Sequence, residues 1–286
     1  MTVDAITTDA LPSVQASLNY LVPAPGKPAR YTYEPPPGVP VDTATYRSYA
    51  TRIHDARPVA ARLSLDREGF ALVKHRSAVI DFYDEAEVRG HFYAEAEALL
   101  KEVTGAQSVH VFDHIVRRRA ADRPPLDSGR PSGSGPRGPV GRVHNDFTAT
   151  SARTRLRVEL GNEADELLSR HFAIVNVWRS IKGPVIDAPL AVCDASSIAA
   201  DDLVASDLIY RERTGEVYQV VHSDAHRWFY VSALQPDEAL LLKGYDSAED
   251  GRARFAPHSA FEDPNTPSGA PPRESIEVRA FVFYPH

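Results

Sequence analysis

The 286-residue chain reads as α+β, with helices ahead of a β-sandwich or barrel core. Two observations predict this, and a third bears on the chain's setting. The strongest helical periodicity lies early, over about Glu85 to Val103, where Val88, Phe92, Ala96, Leu99, Leu100 and Val103 recur at helical spacing. From Phe172 onward the pattern changes to about eight short apolar or alternating runs broken by Gly and Pro, as in sandwiches and barrels. A single cysteine, Cys193, rules out a disulfide framework or a thiolate metal cluster and fits a reducing, cytoplasmic setting.

Composition narrows the function classes. The net charge of −7 argues against a nucleic-acid partner, which asks for a basic face. Met1 to Gln15 is polar and mixed, without the basic start and apolar block of a signal peptide. No run approaches the length of a transmembrane helix, so no membrane partner is expected. No internal repeat or compositional break divides the chain, so residues 1–286 are expected to form one domain, while the oligomeric state is left open.

The elements follow in order. Residues 1–45 are expected to be an extended arm, because Pro23, Pro25, Pro28, Pro35, Pro36, Pro37 and Pro40 forbid a long helix. Leu18, Tyr20, Leu21, Tyr31 and Tyr33 give that arm anchors on a folded body. Residues 46–108 are expected to be mostly helical, apart from a strand over Gly69–His75, and Gly105 ends the main helix. Residues 109–286 supply the β core. Ser108–Val116 alternates like a strand. Residues 120–141 are rich in Pro, Gly, Ser and Arg, and their length and position suit a lid. Leu156–Arg170 is helical in pattern. Strands are expected over 172–179, 190–194, 216–222, 228–232, 238–245, 252–261 and 275–284.

The chemistry centres on Arg142-Val143-His144-Asn145-Asp146-Phe147-Thr148. In a strand, His144 and Asp146 are two apart and share a face. An imidazole and a carboxylate there are two of the three protein ligands of a facial two-His, one-carboxylate ferrous site. The tripeptide alone is a weak signal, since a surface turn would contain it as readily. A third ligand must come from elsewhere, and His226 and His258 compete. Fifteen positions after His258 comes Arg273-Glu274-Ser275, where a cation and a hydroxyl share a strand face. A guanidinium fork matches the far carboxylate of a keto-acid cosubstrate. His226 has no such sequel, so His258 is preferred, with Arg279, of the same parity as Arg273, as the reserve clamp. His110, Asp113 and His114 form a rival cluster without a His–carboxylate pair at strand spacing.

The ordered set His144-X-Asp146, His258, Arg273-X-Ser275 resembles the iron(II)- and 2-oxoglutarate-dependent oxygenases, its Arg-X-Ser ending being like that of isopenicillin N synthase and the cephalosporin-forming expandases. Asn176-Val177-Trp178-Arg179, Gly183-Pro184-Val185, His226-Arg227-Trp228-Phe229-Tyr230, Lys243-Gly244-Tyr245-Asp246-Ser247 and the stretch Phe255–Phe261 are similar to the fungal gibberellin desaturase and cephamycin methoxylation-protein group. The resemblance spans about Val109 to the C-terminus, over half the chain. It implies a double-stranded β-helix core, jelly-roll or cupin-like, with flanking helices. It implies Fe(II) on His144, Asp146 and His258, with 2-oxoglutarate and O2 as cosubstrates, and oxidation of a small natural-product molecule by hydroxylation or desaturation with release of succinate and CO2. No Gly-rich nucleotide motif supports the methyltransferase label that part of the group carries.

Other residues carry weaker expectations. Asn176, Trp178 and Arg179 are candidate substrate contacts, although a tryptophan there is more often a wall and an arginine more often an anchor. Lys243, in an apolar strand, needs a partner: either it holds a carboxylate of a bound molecule, or it pairs with Asp246 at the strand end. Arg117, Arg118 and Arg119 form a charge run of the kind that is usually solvated. A barrel metalloenzyme without 2-oxoglutarate and a catalytically silent ligand-binding barrel are the alternative readings.

Overall fold

A computed structural model describes residues 6–127 and 135–285. The strands are β1 (Ser13–Leu21), β2 (Ala29–Tyr31), β3 (Tyr46–Asp55), β4 (Phe70–Lys74), β5 (Ser108–Arg118), β6 (His144–Asn145) and β7 (Phe172–Ser180). They continue as β8 (Leu190–Cys193), β9 (Leu203–Ile209), β10 (Thr214–Val220), β11 (Trp228–Tyr230), β12 (Glu238–Asp246), β13 (His258–Ala260) and β14 (Glu274–Phe283). Two sheets result. A nine-stranded sheet has the order β1-β3-β11-β8-β13-β6-β10-β9-β2, and a five-stranded sheet has the order β4-β12-β7-β14-β5. Leu190, Val192 and Phe229 of the larger sheet pack against Trp178, Leu240 and Leu242 of the smaller one, so the sheets face each other as in a double-stranded β-helix.

The smaller sheet is covered on its other face. Helices α1 (Glu85–Glu87) and α2 (Tyr93–Thr104) are joined by a π-helical turn, Val88–Phe92. Gly105, at φ 68°, ends α2 in the left-handed conformation expected of it. Phe92, Ala96, Leu99 and Leu100 bury against Ala173, Val175 and Val177 of β7 and Ile276, Val278, Ala280 and Val282 of β14. Residues of the opposite parity point between the sheets: Asn176 and Trp178 on β7, and Ser275, Glu277 and Arg279 on β14. Helices α3 (Ala149–Leu160) and α4 (Ala164–Leu168) close one end on Phe172, Ile174, Tyr245 and Phe281.

The N-terminal half differs from its sequence expectation. The arm over 1–45 is built into the larger sheet: β1 pairs antiparallel with β3 over its whole length, and β2 pairs parallel with β9. Proline spacing excluded helix correctly but did not reveal the strand partners. Residues 46–108 hold β3 and β4 beside the 85–104 helical segment, and β3 is half-buried with a weak apolar alternation, which hid it. Strand β9 was missed for the same reason. Of the span 252–261, only His258–Ala260 is extended in a sheet. The arm is anchored where the indole N–H of Trp228 donates to the Tyr20 hydroxyl at 2.7 Å, both side chains being buried.

Lys243 sits on β12 with no exposure, and of the two partners weighed it meets Asp246. Nζ lies 2.6 Å from Asp246 and 3.0 Å from Asp66. Asp246 also meets His171 at 2.7 Å. Removing one member of a buried pair leaves the other charge uncompensated, so Lys243→Met should destabilise the fold by about 3–5 kcal/mol in urea unfolding. Adding Asp246→Asn should restore much of that loss. A single-variant cost below about 1 kcal/mol would show that the pair is not electrostatically isolated.

Candidate metal centre

The ligand motif stands where a strand ends. His144 and Asn145 form the short strand β6 between β10 and β13, and Asp146 lies just past it. The register sets His144 directly opposite His258. Their rings are 4.6 Å apart, and the ligand atoms of His144, Asp146 and His258 all lie within 4.8 Å of one another. Three residues from distant parts of the chain thus converge on one point, as a facial site requires.

Each ligand is oriented by a second contact. The Nδ1 of His144 meets the Arg142 carbonyl at 2.8 Å, and the Nδ1 of His258 meets the Ala256 carbonyl at 3.1 Å. A carbonyl only accepts, so both Nδ1 atoms carry the proton and both Nε2 lone pairs face the centre. Burial first, then neighbouring His144, pushes the His258 pKa down to about 4, which keeps the imidazole neutral and able to bind metal. Burial opposes ionisation of Asp146, but the Arg279 guanidinium outweighs it and holds the carboxyl well below its usual range. Asp146 Oδ2 accepts from Asn176 Nδ2 at 2.8 Å and Arg279 Nε at 3.0 Å, while Oδ1 faces His144.

Asn145, the residue between the ligands, was not singled out from sequence. It is fully buried and donates to the carbonyls of Phe147 at 2.7 Å and Gly244 at 2.8 Å. Its own oxygen accepts from the Ala256 N–H at 3.2 Å. One amide therefore ties the turn carrying Asp146 to the segment carrying His258. Directly after Phe147, Thr148 caps α3 through a reciprocal box with Ser151, which fixes the exit of the turn.

Arg273 and Ser275 reach the same interior. Arg273 lies over the Trp178 ring at 5.4 Å and donates to the Ala188 carbonyl at 2.5 Å. Its buried Nε and the Ser275 hydroxyl have no partner among the described residues. Burial, then the nearby Arg117 charge, lowers the Arg273 pKa to about 9. An unfilled cation and hydroxyl beside the ligands fit a carboxylate. Together with three convergent N and O donors, they fit Fe(II) and a 2-oxo acid.

Other candidates go elsewhere. Arg279 is engaged by Asp146, by Glu277 at 2.6 Å and by Asp113 at 3.3 Å. Asn176 supports Asp146, and Trp178 underlies Arg273; neither lines the larger cavity. Arg179 has the opposite parity on β7 and leaves the site altogether. It packs against Phe82 and Phe92 and bonds His75 and the Pro236 carbonyl. His226 is held by Tyr20 and Asp202 near the arm. The 117–119 run is not solvated as a unit: Arg119 is buried and donates to the exposed Glu262, and Arg117 lines the site.

A cavity of about 670 Å³ opens over the centre, walled by Phe112, Phe147, Leu208 and Tyr210 and reaching His144, Asp146 and Gln219. Gln219 lies beside His144 in the sheet register, and its buried amide oxygen is unpartnered. Polar parity on β10 was the only sequence signal for it. A recess of about 20 Å³ lies between the ligands, Arg273 and Trp178 and shares Arg117, Val140 and Arg279 with the cavity wall. The expected lid falls partly on residues 128–134, which lie outside the described residues. Val140 and Arg137, on its described part, line the cavity.

Asn145→Ala removes three hydrogen bonds of a buried amide and should destabilise the fold by roughly 3 kcal/mol, read by thermal or urea unfolding. A neutral effect would remove the amide's role in joining the two ligand segments.

Comparison with known proteins agrees with this geometry. A family profile described as an oxidoreductase/YMDC permease-like domain matches residues 18–283. The hydroxylase/desaturase CTB9 of Cercospora beticola is 37% identical over 254 residues, covering 84% of this chain and 78% of that protein. The Fe(II)/2-oxoglutarate-dependent dioxygenase nvfI of Aspergillus novofumigatus is 34% identical over 260 residues, covering 88% and 90%. A solved structure of the iron and alpha-ketoglutarate-dependent endoperoxidase NvfI superposes with a TM-score of 0.85 at 31% identity, covering 96% of this chain and 99% of that one. No helix among the described residues is long and apolar enough to cross a membrane. The fold, the donor set and these relatives together place the chain in the Fe(II)/2-oxoglutarate-dependent dioxygenase family.

Proposed function

We propose that this dioxygenase oxidises a small natural-product molecule, by hydroxylation or desaturation, in the cavity above His144, Asp146 and His258. The observation that carries the reading is the convergence of these three ligand atoms next to the unpartnered Arg273 and Ser275. In this assignment His144, Asp146 and His258 hold Fe(II), and Arg273 and Ser275 take the far carboxylate of 2-oxoglutarate. The ferrous ion, with 2-oxoglutarate and O2, supplies the oxidant, and succinate and CO2 are released. The chain's own work is placement. Asn176 and Arg279 occupy one oxygen of Asp146 and leave the other for the metal. Phe112 and Phe147 exclude water from the reacting face. Gln219 offers a hydrogen-bonding group beside the ligands. The buried free Cys193 fits a reducing, cytoplasmic location.

His144→Ala or Asp146→Ala should abolish Fe(II)-dependent succinate release with the circular dichroism spectrum retained; unchanged turnover would sink the assignment. Asn176→Ala should weaken divalent-metal affinity by about 10–100-fold in calorimetric titration, because it frees the ligand carboxylate. Arg273→Gln should raise the 2-oxoglutarate concentration needed for half-maximal turnover by about 10–100-fold, the worth of a charge-assisted clamp. If Arg273→Gln instead kept full activity without the cosubstrate, a metalloenzyme not using 2-oxoglutarate would be the better account. A silent binding barrel would be favoured if anaerobic protein with Fe(II) and 2-oxoglutarate showed no metal-to-ligand charge-transfer absorption.

A further inference from the structure

The cavity above the centre holds more positive charge than its own acids neutralise. Its walls carry seven arginines and three carboxylates, and of these arginines Arg142 is paired with Asp42 outside the wall. All three acids are already engaged. Asp146 and Asp113 face Arg279, and Glu216 pairs with Lys27 and the Thr148 hydroxyl. Arg117 and Arg213 meet no carboxylate among the described residues: Arg117 donates to the Gly138 carbonyl at 2.8 Å, and Arg213 lies 4.1 Å from the Tyr210 ring centre.

Arg155, on α3, is the most telling. One Nη2 reaches Glu159, which is not part of the cavity wall, at 2.9 Å. The guanidinium lies 4.9 Å from the centre of the Phe112 ring, and its buried Nε N–H has no acceptor. A buried N–H without an acceptor is unfavourable unless a ligand completes it. Here that N–H stands next to an aromatic wall, in a chain whose net charge is −7. An acidic protein that concentrates arginines in one apolar-walled chamber selects anions there against its own overall field.

We propose that the substrate is an organic carboxylate: an apolar, ring-bearing body against Phe112, Phe147, Leu208 and Tyr210, with its acid group on Arg155. This rests on the reading of the chamber as the substrate site of the dioxygenase. 2-Oxoglutarate, the other anion in play, is assigned to Arg273 in the adjoining recess and does not account for Arg155 or Arg213.

The test uses Fe(II)- and 2-oxoglutarate-loaded protein held without oxygen. It is titrated by fluorescence with 8-anilinonaphthalene-1-sulfonate and with its neutral counterpart N-phenyl-1-naphthylamine, cosubstrate being saturating. The sulfonate should bind about tenfold or more tightly than the neutral dye, and added salt should weaken it. Arg155→Gln should weaken the sulfonate about three- to tenfold and leave the neutral dye unchanged, while Arg155→Lys should retain most of the affinity. Glu159→Gln, which frees Arg155, should tighten the sulfonate. Arg157→Gln, an exposed arginine on the same helix, should do nothing. Equal affinity for the two dyes, no binding of the sulfonate, or equal losses in Arg155→Gln and Arg157→Gln would overturn the proposal. The charge-transfer absorption of the same samples reports the iron and 2-oxoglutarate reading separately, so either can fail alone.

Discussion

The centre depends on keeping one carboxylate ionised between two β-sheets. Asp146 is removed from water, which alone would favour its neutral form. Arg279 answers this from β14, and Asn176 adds a neutral donor from β7. Both side chains come from the inward parity of the smaller sheet, whereas Asp146 comes from the end of β6 in the larger one. The sheets must therefore face each other in register before the ligand has its charge, and the ligand in turn ties them together. Arg279 carries its own requirement, because a buried guanidinium needs acids around it. Glu277 and Asp113 supply them, and Asp146, Glu277 and Asp113 together raise its affinity for its proton despite burial.

Strand parity explains which side chains serve the site and which do not. On β7, Ala173, Val175 and Val177 meet helix α2, while Asn176 and Trp178 meet the interior. Arg179 falls on the helix side and is held there by two phenylalanine rings. On β14, one face is apolar against the helix, and the other presents Ser275, Glu277 and Arg279 in succession. A single-residue slip of either strand would exchange these roles and bury charge against α2. The apolar outward face thus fixes the register that the polar inward face needs.

Much of this was readable in the sequence. The pairing of His144 with Asp146, the main helix with its Gly105 stop and the later strands follow from local pattern, whereas the choice of His258 with Arg273 and Ser275 drew on their order along the chain; the fold brings His144, Asp146 and His258 together, with Arg273 beside them. What was not readable has a common cause. Asn145, Gln219 and the Arg279–Asp146 contact depend on partners distant in sequence, and periodicity carries no such information. Parity showed that Arg279 faces inward but not that Asp146 would reach it first. Asn176, Trp178 and Arg179 were grouped because they are adjacent in sequence, although adjacent strand residues face opposite ways. Of the N-terminal strands, β3 was hidden by its weak alternation, β2 and β3 pair with β9 and β11, which come late in the chain, and β1, which alternates cleanly, was read as part of the proline-rich arm.

The Asn145 amide has a consequence for the order of synthesis. Its acceptor at Gly244 and its donor at Ala256 lie 99 and 111 residues further along the chain, and Arg273 comes later still. A ribosome-bound chain that has released only the His144–Asp146 turn lacks the third ligand, the amide's partners and the guanidinium that charges the carboxylate. The centre is thus a late product of translation, completed only when the last strands dock. The residues that would hold the metal and the walls of the cavity above it are thus completed together.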